Sequence, residues 1–257
     1  MKTTSLGFIG GGRITRIFLQ AFRNKSLEFD SIGVYEPVQE VASALKAQFP
    51  EITPEDSPTE PARLDIVFLA VHPPVMMETL NKIREVVLPG SMVVSLAPKF
   101  TIGRIAEVLK TENVARMIPN ATSYINKGYN PVCFHTGFAA EKKEHLWDLF
   151  RLLGKTIEVE ESMLEGYAMI SAMLPTYFWF QWKKMEEIAL DMGFEKEEAG
   201  KVIRYTLRRS IELYYRSGLT PDEVMDLIPV KPLGEHEDQI REIFETRLPG
   251  LYGKIRP

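Results

Sequence analysis

Short apolar runs alternate with segments of helical period through roughly the first 160 residues of the chain, and beyond that point the alternation ends. Apolar runs at 5–9, 31–35, 65–71, 92–96, 114–118, 131–135 and 156–159 predict strands. Segments at 13–23, 38–48, 74–86, 102–110 and 141–153 carry apolar residues three and four apart and predict helices. Strand and helix taking turns in this way predict an α/β fold, a doubly wound parallel sheet of Rossmann type. The run Ile66-Val67-Phe68-Leu69-Ala70-Val71 is apolar throughout, as a strand covered on both faces must be, and it belongs at the centre of the sheet. From Glu161 onward only helical periods occur, at about 161–174, 175–192, 196–217, 221–227 and 235–247. The chain therefore divides into a sheet domain, 1–160, and an all-helical domain, 161–257, whose glycine- and proline-rich tail from Leu248 predicts an irregular end.

Chemistry enters at the first strand-to-helix turn. Gly7-Phe8-Ile9 runs into Gly10-Gly11-Gly12, and Arg13-Ile14 open the helix. Gly10 permits a tight turn, Gly12 permits close approach of a diphosphate, and the free amides of the first turn favour negative charge, so the pattern predicts a dinucleotide site. The second strand ends at Glu36, 24 residues after Gly12, close to the spacing of about 20 expected for the acid that binds the adenosine ribose. A carboxylate there accepts both ribose hydroxyls and repels a 2′-phosphate, which favours NAD over NADP. Arg13, a cation where the helix dipole opposes one, points to a phosphate. Open α/β sheets bind ligands at the carboxyl ends of their strands. That rule marks Val71, His72 and Pro73 after the third predicted strand, Ala97, Pro98 and Lys99 after the fourth, and Pro119 and Asn120 after the fifth.

Composition narrows the remaining classes. A net charge of −4 gives no general attraction to nucleic acid or to an anionic membrane. There is no 18-residue apolar stretch and no export signal before the first strand, and the single cysteine, Cys133, excludes an intrachain disulfide, so a cytoplasmic protein is expected. No Cys/His cluster has metal-ligand spacing, and the glycine turn lacks the Lys-Ser/Thr pair of a P-loop ATPase. Pro175-Thr176-Tyr177-Phe178-Trp179-Phe180-Gln181-Trp182 is aromatic on every side of one helix, more than a domain of about 95 residues hides comfortably. That predicts a tightly interlocked homodimer or higher homo-oligomer formed through the helical domain.

Several motifs together resemble pyrroline-5-carboxylate reductase over nearly the whole chain. Gly7-Phe8-Ile9-Gly10-Gly11-Gly12 is similar to the family's opening motif, Leu69-Ala70-Val71-His72-Pro73 to its L-A-V-K-P, and Met117-Ile118-Pro119-Asn120 to its R-x-M-P-N, with Arg116 one place late. Leu153-Gly154 and Val159-Glu160-Glu161 resemble its domain junction, and the amino-terminal half is similar in type to the NADP oxidoreductase, coenzyme F420-dependent domain. The family's T-A-L-S-G-S-G-P-A-Y corresponds to Ala168-Met169-Ile170-Ser171-Ala172-Met173-Leu174-Pro175-Thr176-Tyr177, where only Ser171, Pro175 and Tyr177 agree. Its S-P-G-G-T-T substrate loop corresponds to Ile228-Pro229-Val230-Lys231-Pro232-Leu233.

The resemblance implies hydride transfer from a nicotinamide lying near Ala97 and Asn120 to a C=N or C=O carbon of a small-molecule substrate. It implies a substrate site between the sheet domain and the helices bearing Ser171 and Tyr177, with Lys231 able to hold a carboxylate in place of the lost amides. Tyr177, Ser171 through water, and Lys231 are candidate proton donors, and no residue is assigned as catalytic. The departures predict that pyrroline-5-carboxylate itself is not the efficient substrate. The alternative is a dinucleotide-binding sensor or assembly protein on a reductase scaffold without turnover.

Overall fold

The structure, a computed structural model, describes residues 4–257; Met1-Lys2-Thr3, on which the expectation of a start without an export signal rests, lie outside the described residues. The first half builds β1 (Ser5–Ile9), α1 (Arg13–Arg23), β2 (Ser31–Tyr35), α2 (Gln39–Gln48), β3 (Thr53–Glu55), β4 (Ile66–Leu69), α3 (Pro73–Ile83), β5 (Met92–Ser95), α4 (Ile102–Leu109), β6 (Val114–Met117), β7 (Gly128–Phe134), α5 (Ala140–Arg151) and β8 (Gly154–Glu158). They form one sheet in the order β3-β2-β1-β4-β5-β6-β7-β8. All neighbours are parallel except β6 and β7, which run antiparallel with Arg116 opposite Cys133. The doubly wound, parallel sheet expected from the sequence is thus present, with this single reversed pair near one edge. Hydrophobic pattern reports burial on both faces and carries no information about strand direction.

β4 is buried along its whole length at the middle of the sheet, and the chain leaves β1 in one direction and β4 in the other. The reversal of strand order between β1 and β4 opens a crevice at their carboxyl ends. Beneath it, Phe8 stacks on Phe68 at 4.8 Å between ring centroids, and Phe18 of α1 meets Phe68 edge-on at 5.6 Å. All three are fully buried, and each contributes about 1.5–3 kcal/mol of burial free energy to holding α1 and the glycine turn in place.

The segment 161–174, expected as one helix, is broken. A 3₁₀ turn at Glu161–Met163 leads into α6 (Leu164–Tyr167) and then a π-helical turn at Ala168–Ala172. Side chains of this segment bind distant partners described below, and those bonds override the local preference for continuous α-helix. After it come α7 (Leu174–Asp191), α8 (Lys196–Arg216), α9 (Pro221–Asp226) and α10 (Glu237–Ile255). The irregular tail expected from Leu248 is therefore also corrected, because α10 carries Pro249 inside it. Pro249 removes one amide donor from α10, and the helix nevertheless continues past it to Ile255. α9 begins with a capping box in which Thr220 and Glu223 satisfy each other's backbone amides.

The chain separates into two compact units. One runs through Ala172 and includes Tyr252–Pro257; the other is Met173–Leu251. The first unit extends past the sheet because Glu161–Ala172 is bonded onto it. Within the second unit, α7 has no buried residue, and Trp179 and Phe180 are 45% and 67% exposed.

Candidate dinucleotide cleft and its supporting clamp

The expected glycine turn is a cradle in the structure. Gly10 stands at φ +107°, a conformation open to glycine, and its amide donates to the carbonyl of Tyr35 at 2.8 Å. Gly12 is the N-cap of α1, without a side-chain cap, and a Cβ added to it would meet nothing within 4 Å. The first turn of α1 contains no acid, so its amides and the positive end of the helix dipole face open space. Thr15, buried in that turn, donates its hydroxyl to the Gly10 carbonyl at 2.5 Å and ties the loop to the helix. An uncapped helix start behind a glycine that leaves room for a ligand fits a diphosphate, and hence the dinucleotide expected from the sequence.

Glu36 lies at the carboxyl end of β2 facing this turn. One carboxylate oxygen accepts from the Gly11 amide at 2.8 Å and the other from the Val38 amide at 3.1 Å. A Cβ on Gly11 would sit 2.8 Å from the Glu36 Cβ, so Gly11 is what lets the carboxylate approach the loop. Each carboxylate oxygen has a lone pair to spare, and the group is pre-oriented for further donors. Gly11, Gly12, Arg13, Ile14, Ala70 and His72 line a cleft of about 690 Å³, together with Arg16 and the exposed face of α2. Arg16 was not singled out in the sequence, although its place one helical turn after Arg13 puts it on the same face. His72 is the exposed N-cap of α3, Pro73 is the first residue of that helix, and Val71 is half-buried before them. Ala97 is buried just past β5.

Asn120 and Ser171 behave differently from these. The Asn120 side-chain amide donates to the Ser171 hydroxyl at 3.0 Å and to the Ser171 carbonyl at 3.1 Å, while its oxygen accepts from the amide and the hydroxyl of Thr122. The Ser171 hydroxyl in turn donates to the Tyr129 carbonyl at 2.8 Å. Both residues are buried, and their polar atoms are spent on each other and on the backbone. Four residues before Asn120, Arg116 is 1% exposed and binds Glu161 at 2.8 Å and Glu165 at 2.5 Å. Glu161 also accepts from the Ile102 amide at 2.6 Å, which caps α4 from across the chain. Burial disfavours the Arg116 charge, but hydrogen bonds to both carboxylates outweigh it and hold the guanidinium above its ordinary pKa. Its Nε is buried without a partner. On the neighbouring strand, burial and the nearby Glu161 push the Cys133 thiol up to about 12, so it stays protonated and unreactive. Arg116 and Asn120 thus clamp the segment Glu161–Ser171 along the sheet face to the carboxyl edge.

In the second unit, Tyr177 packs edge-on against Phe244 at 5.9 Å, and burial raises its phenol pKa. Lys231 is exposed on an irregular segment, beside a groove of about 370 Å³ walled by Leu213, Tyr214, Met225 and Val230. Among the described residues no group of acidic, histidine or cysteine side chains forms a metal site, and no helix is long and apolar enough to cross a membrane.

A crevice at the switch point of a doubly wound sheet, a glycine cradle at a bare helix start and a carboxylate on the adenosine side define a dinucleotide-binding domain of Rossmann type. Residues 5–99 match the family model described as NADP oxidoreductase, coenzyme F420-dependent. Pyrroline-5-carboxylate reductase of Escherichia coli (strain K12) is 26% identical over 243 residues, covering 93% of this chain and 90% of that protein. The enzyme of the same name from Corynebacterium melassecola is 24% identical over 253 residues, covering 97% and 93%. Among solved structures, Plasmodium falciparum pyrroline carboxylate reductase with NADP bound aligns with a TM-score of 0.75 at 20% identity, over 99% of this chain and 95% of that one. The chain is thus similar to pyrroline-5-carboxylate reductases over nearly its whole length, and to the F420-dependent NADP oxidoreductase model over residues 5–99.

Proposed function

We propose that the protein is a cytoplasmic reductase that transfers hydride from NADH to a C=N or C=O substrate more apolar than pyrroline-5-carboxylate. The observation that carries the cofactor assignment is Glu36, fixed by the Gly11 and Val38 amides beside an open diphosphate cradle. A reduced nicotinamide, when bound, supplies the hydride. The first-turn amides of α1 and Arg13 hold the diphosphate, and Glu36 accepts the ribose hydroxyls and repels a 2′-phosphate. Ser171 has its proton committed to the Tyr129 carbonyl, so the acid that completes reduction is sought in Tyr177 or Lys231. Relatives of this chain are named for pyrroline-5-carboxylate. Here the serine in the corresponding helix is consumed internally, and Ile228, Val230 and Leu233 stand where a glycine and threonine loop is expected, which supports a different, less polar substrate.

The test is calorimetric titration with both reduced coenzymes, followed by assays on a panel of cyclic imines and keto acids. Saturable NADH binding with oxidation by apolar members of the panel is expected. Absence of heat with either coenzyme overturns the reading, family-like rates on pyrroline-5-carboxylate overturn the substrate assignment, and binding without oxidation identifies a dinucleotide-binding protein without turnover. Replacing Glu36 by Ser removes the negative charge that repels a 2′-phosphate and leaves Arg16, in the same cleft, to meet one. The preference should then move toward NADPH by about tenfold to a hundredfold in the ratio of affinities.

We also propose that the protein works as a homodimer through its helical half, on the evidence of eighteen α7 residues with none buried. Gel filtration should give about twice the 29.3 kDa chain mass, and Phe180→Glu should return it to the monomer. A wild-type chain that elutes as a monomer at micromolar concentration would sink the proposal.

A further inference from the structure

At the carboxyl edge formed by β4, β5 and β6, the residues beyond the strand ends are Ala70–Pro73, Ala97–Phe100 and Ile118–Ala121, and with histidine neutral Lys99 carries the only formal charge among them. Its backbone stands at φ 74°, where a long side chain is rarely found and glycine is favoured. Such strain persists where the surrounding structure imposes it, and it clusters at ligand sites. The Lys99 side chain is exposed, and no ion pair or hydrogen bond engages its ammonium among the described residues. Ala97 behind it is buried, and Thr101 after it caps α4 by accepting from the Arg104 amide, so the turn is fixed at both ends.

Its position sets it on the nicotinamide side of the cofactor diphosphate. The diphosphate cradle lies over β1 and Glu36 over β2, so the adenosine half occupies the β2 side and the nicotinamide half must extend over β4 and β5. β5 is two strands from β1, about 10 Å across the sheet at the usual strand spacing and on the far side of β4 from the glycine turn. What a bare ammonium meets at the nicotinamide end is the substrate.

We propose that Lys99 is a specificity-determining residue that receives a carboxylate of the substrate beside the nicotinamide, so that the substrate class is an imino or keto acid with an apolar body. This rests on the reductase reading above. A charge-assisted pair at a partly exposed site discriminates an acid from its neutral analogue by about tenfold.

The experiment uses the full chain saturated with NADH and two planar probes, pyrrole-2-carboxylate and its amide, titrated by calorimetry into wild type and into K99Q, K99G and K99R. Wild type and K99R should bind the acid about tenfold more tightly than the amide, and K99Q and K99G should bind the two alike. K99G relieves the backbone strain, so its melting temperature should match or exceed that of wild type, and lost discrimination in it cannot be ascribed to unfolding. Equal binding of acid and amide by wild type, or a preference for the acid that survives in K99Q and K99G, overturns the proposal. A separate NADH titration of each variant distinguishes this failure from failure of the reductase reading, since Lys99 substitutions should leave the NADH dissociation constant unchanged and a wild type without NADH binding defeats both.

Discussion

Replacing Arg116 by Met should destabilise the sheet unit by about 3 to 5 kcal/mol, because Glu165, only 2% exposed, would be left as an uncompensated buried carboxylate. Glu161 would lose the same partner but is one-third exposed, so water takes over there and its share is smaller. Removing the opposite member, as in Glu165→Met, leaves Arg116 with Glu161 and should cost less. The double replacement Arg116→Met with Glu165→Met should recover much of the loss, since an apolar pair of similar volume replaces a dehydrated ion pair at little cost. Urea unfolding of the three variants measures this. Additive costs in the double variant would show that the ions are not coupled as the geometry requires. A second consequence separates the clamp from simple stability: amide exchange of residues 164–172 should accelerate in Arg116→Met well below the unfolding midpoint.

Gly10→Ala and Gly12→Ala should fail in different ways. A Cβ on Gly10 would lie 2.5 Å from the carbonyl oxygen of Ala70 and 2.8 Å from its carbon, both backbone atoms, at a φ of +107°. The turn cannot accept it without parting from β4, so stability should fall by about 1 to 3 kcal/mol. NADH affinity should fall at least about a hundredfold as the cradle deforms. Gly12 has nothing within 4 Å of its Cβ position, so Gly12→Ala should melt within about 0.5 kcal/mol of wild type. Its methyl group nevertheless occupies the space of the diphosphate, and NADH affinity should drop with the fold intact. Thermal melts and calorimetric titrations on the two variants decide it; undiminished NADH binding by Gly12→Ala would place the diphosphate elsewhere.

The parts of this molecule written in local sequence were legible. β1, the glycine turn and α1 follow from the local run of apolar and glycine residues, and Glu36 from its spacing to Gly12, although it is held by the Gly11 amide 25 residues away. The edge strand β3 was not, because Thr53-Pro54-Glu55 is short and polar and pairs with β2 only through its backbone. Arg116 with Glu161 and Glu165, and Asn120 with Ser171, are partners 45 to 51 residues apart, and no periodicity links residues at that distance. Asn120 and Ser171 are each marked in the sequence by position or motif, and only the fold shows that they are bonded to each other. Lys99 shows a related limit: its place after β5 was readable, but its left-handed backbone was not, since nothing in Pro98-Lys99-Phe100 calls for one.

The rims of the sheet carry a consequence for self-association. β3 holds Pro54, which has no N–H to offer an incoming strand, and β8 carries Lys155 within its short run. An edge lacking a donor and an edge studded with charge both resist strand addition. Ribbon-like growth from copy to copy is thereby discouraged at either end of the sheet.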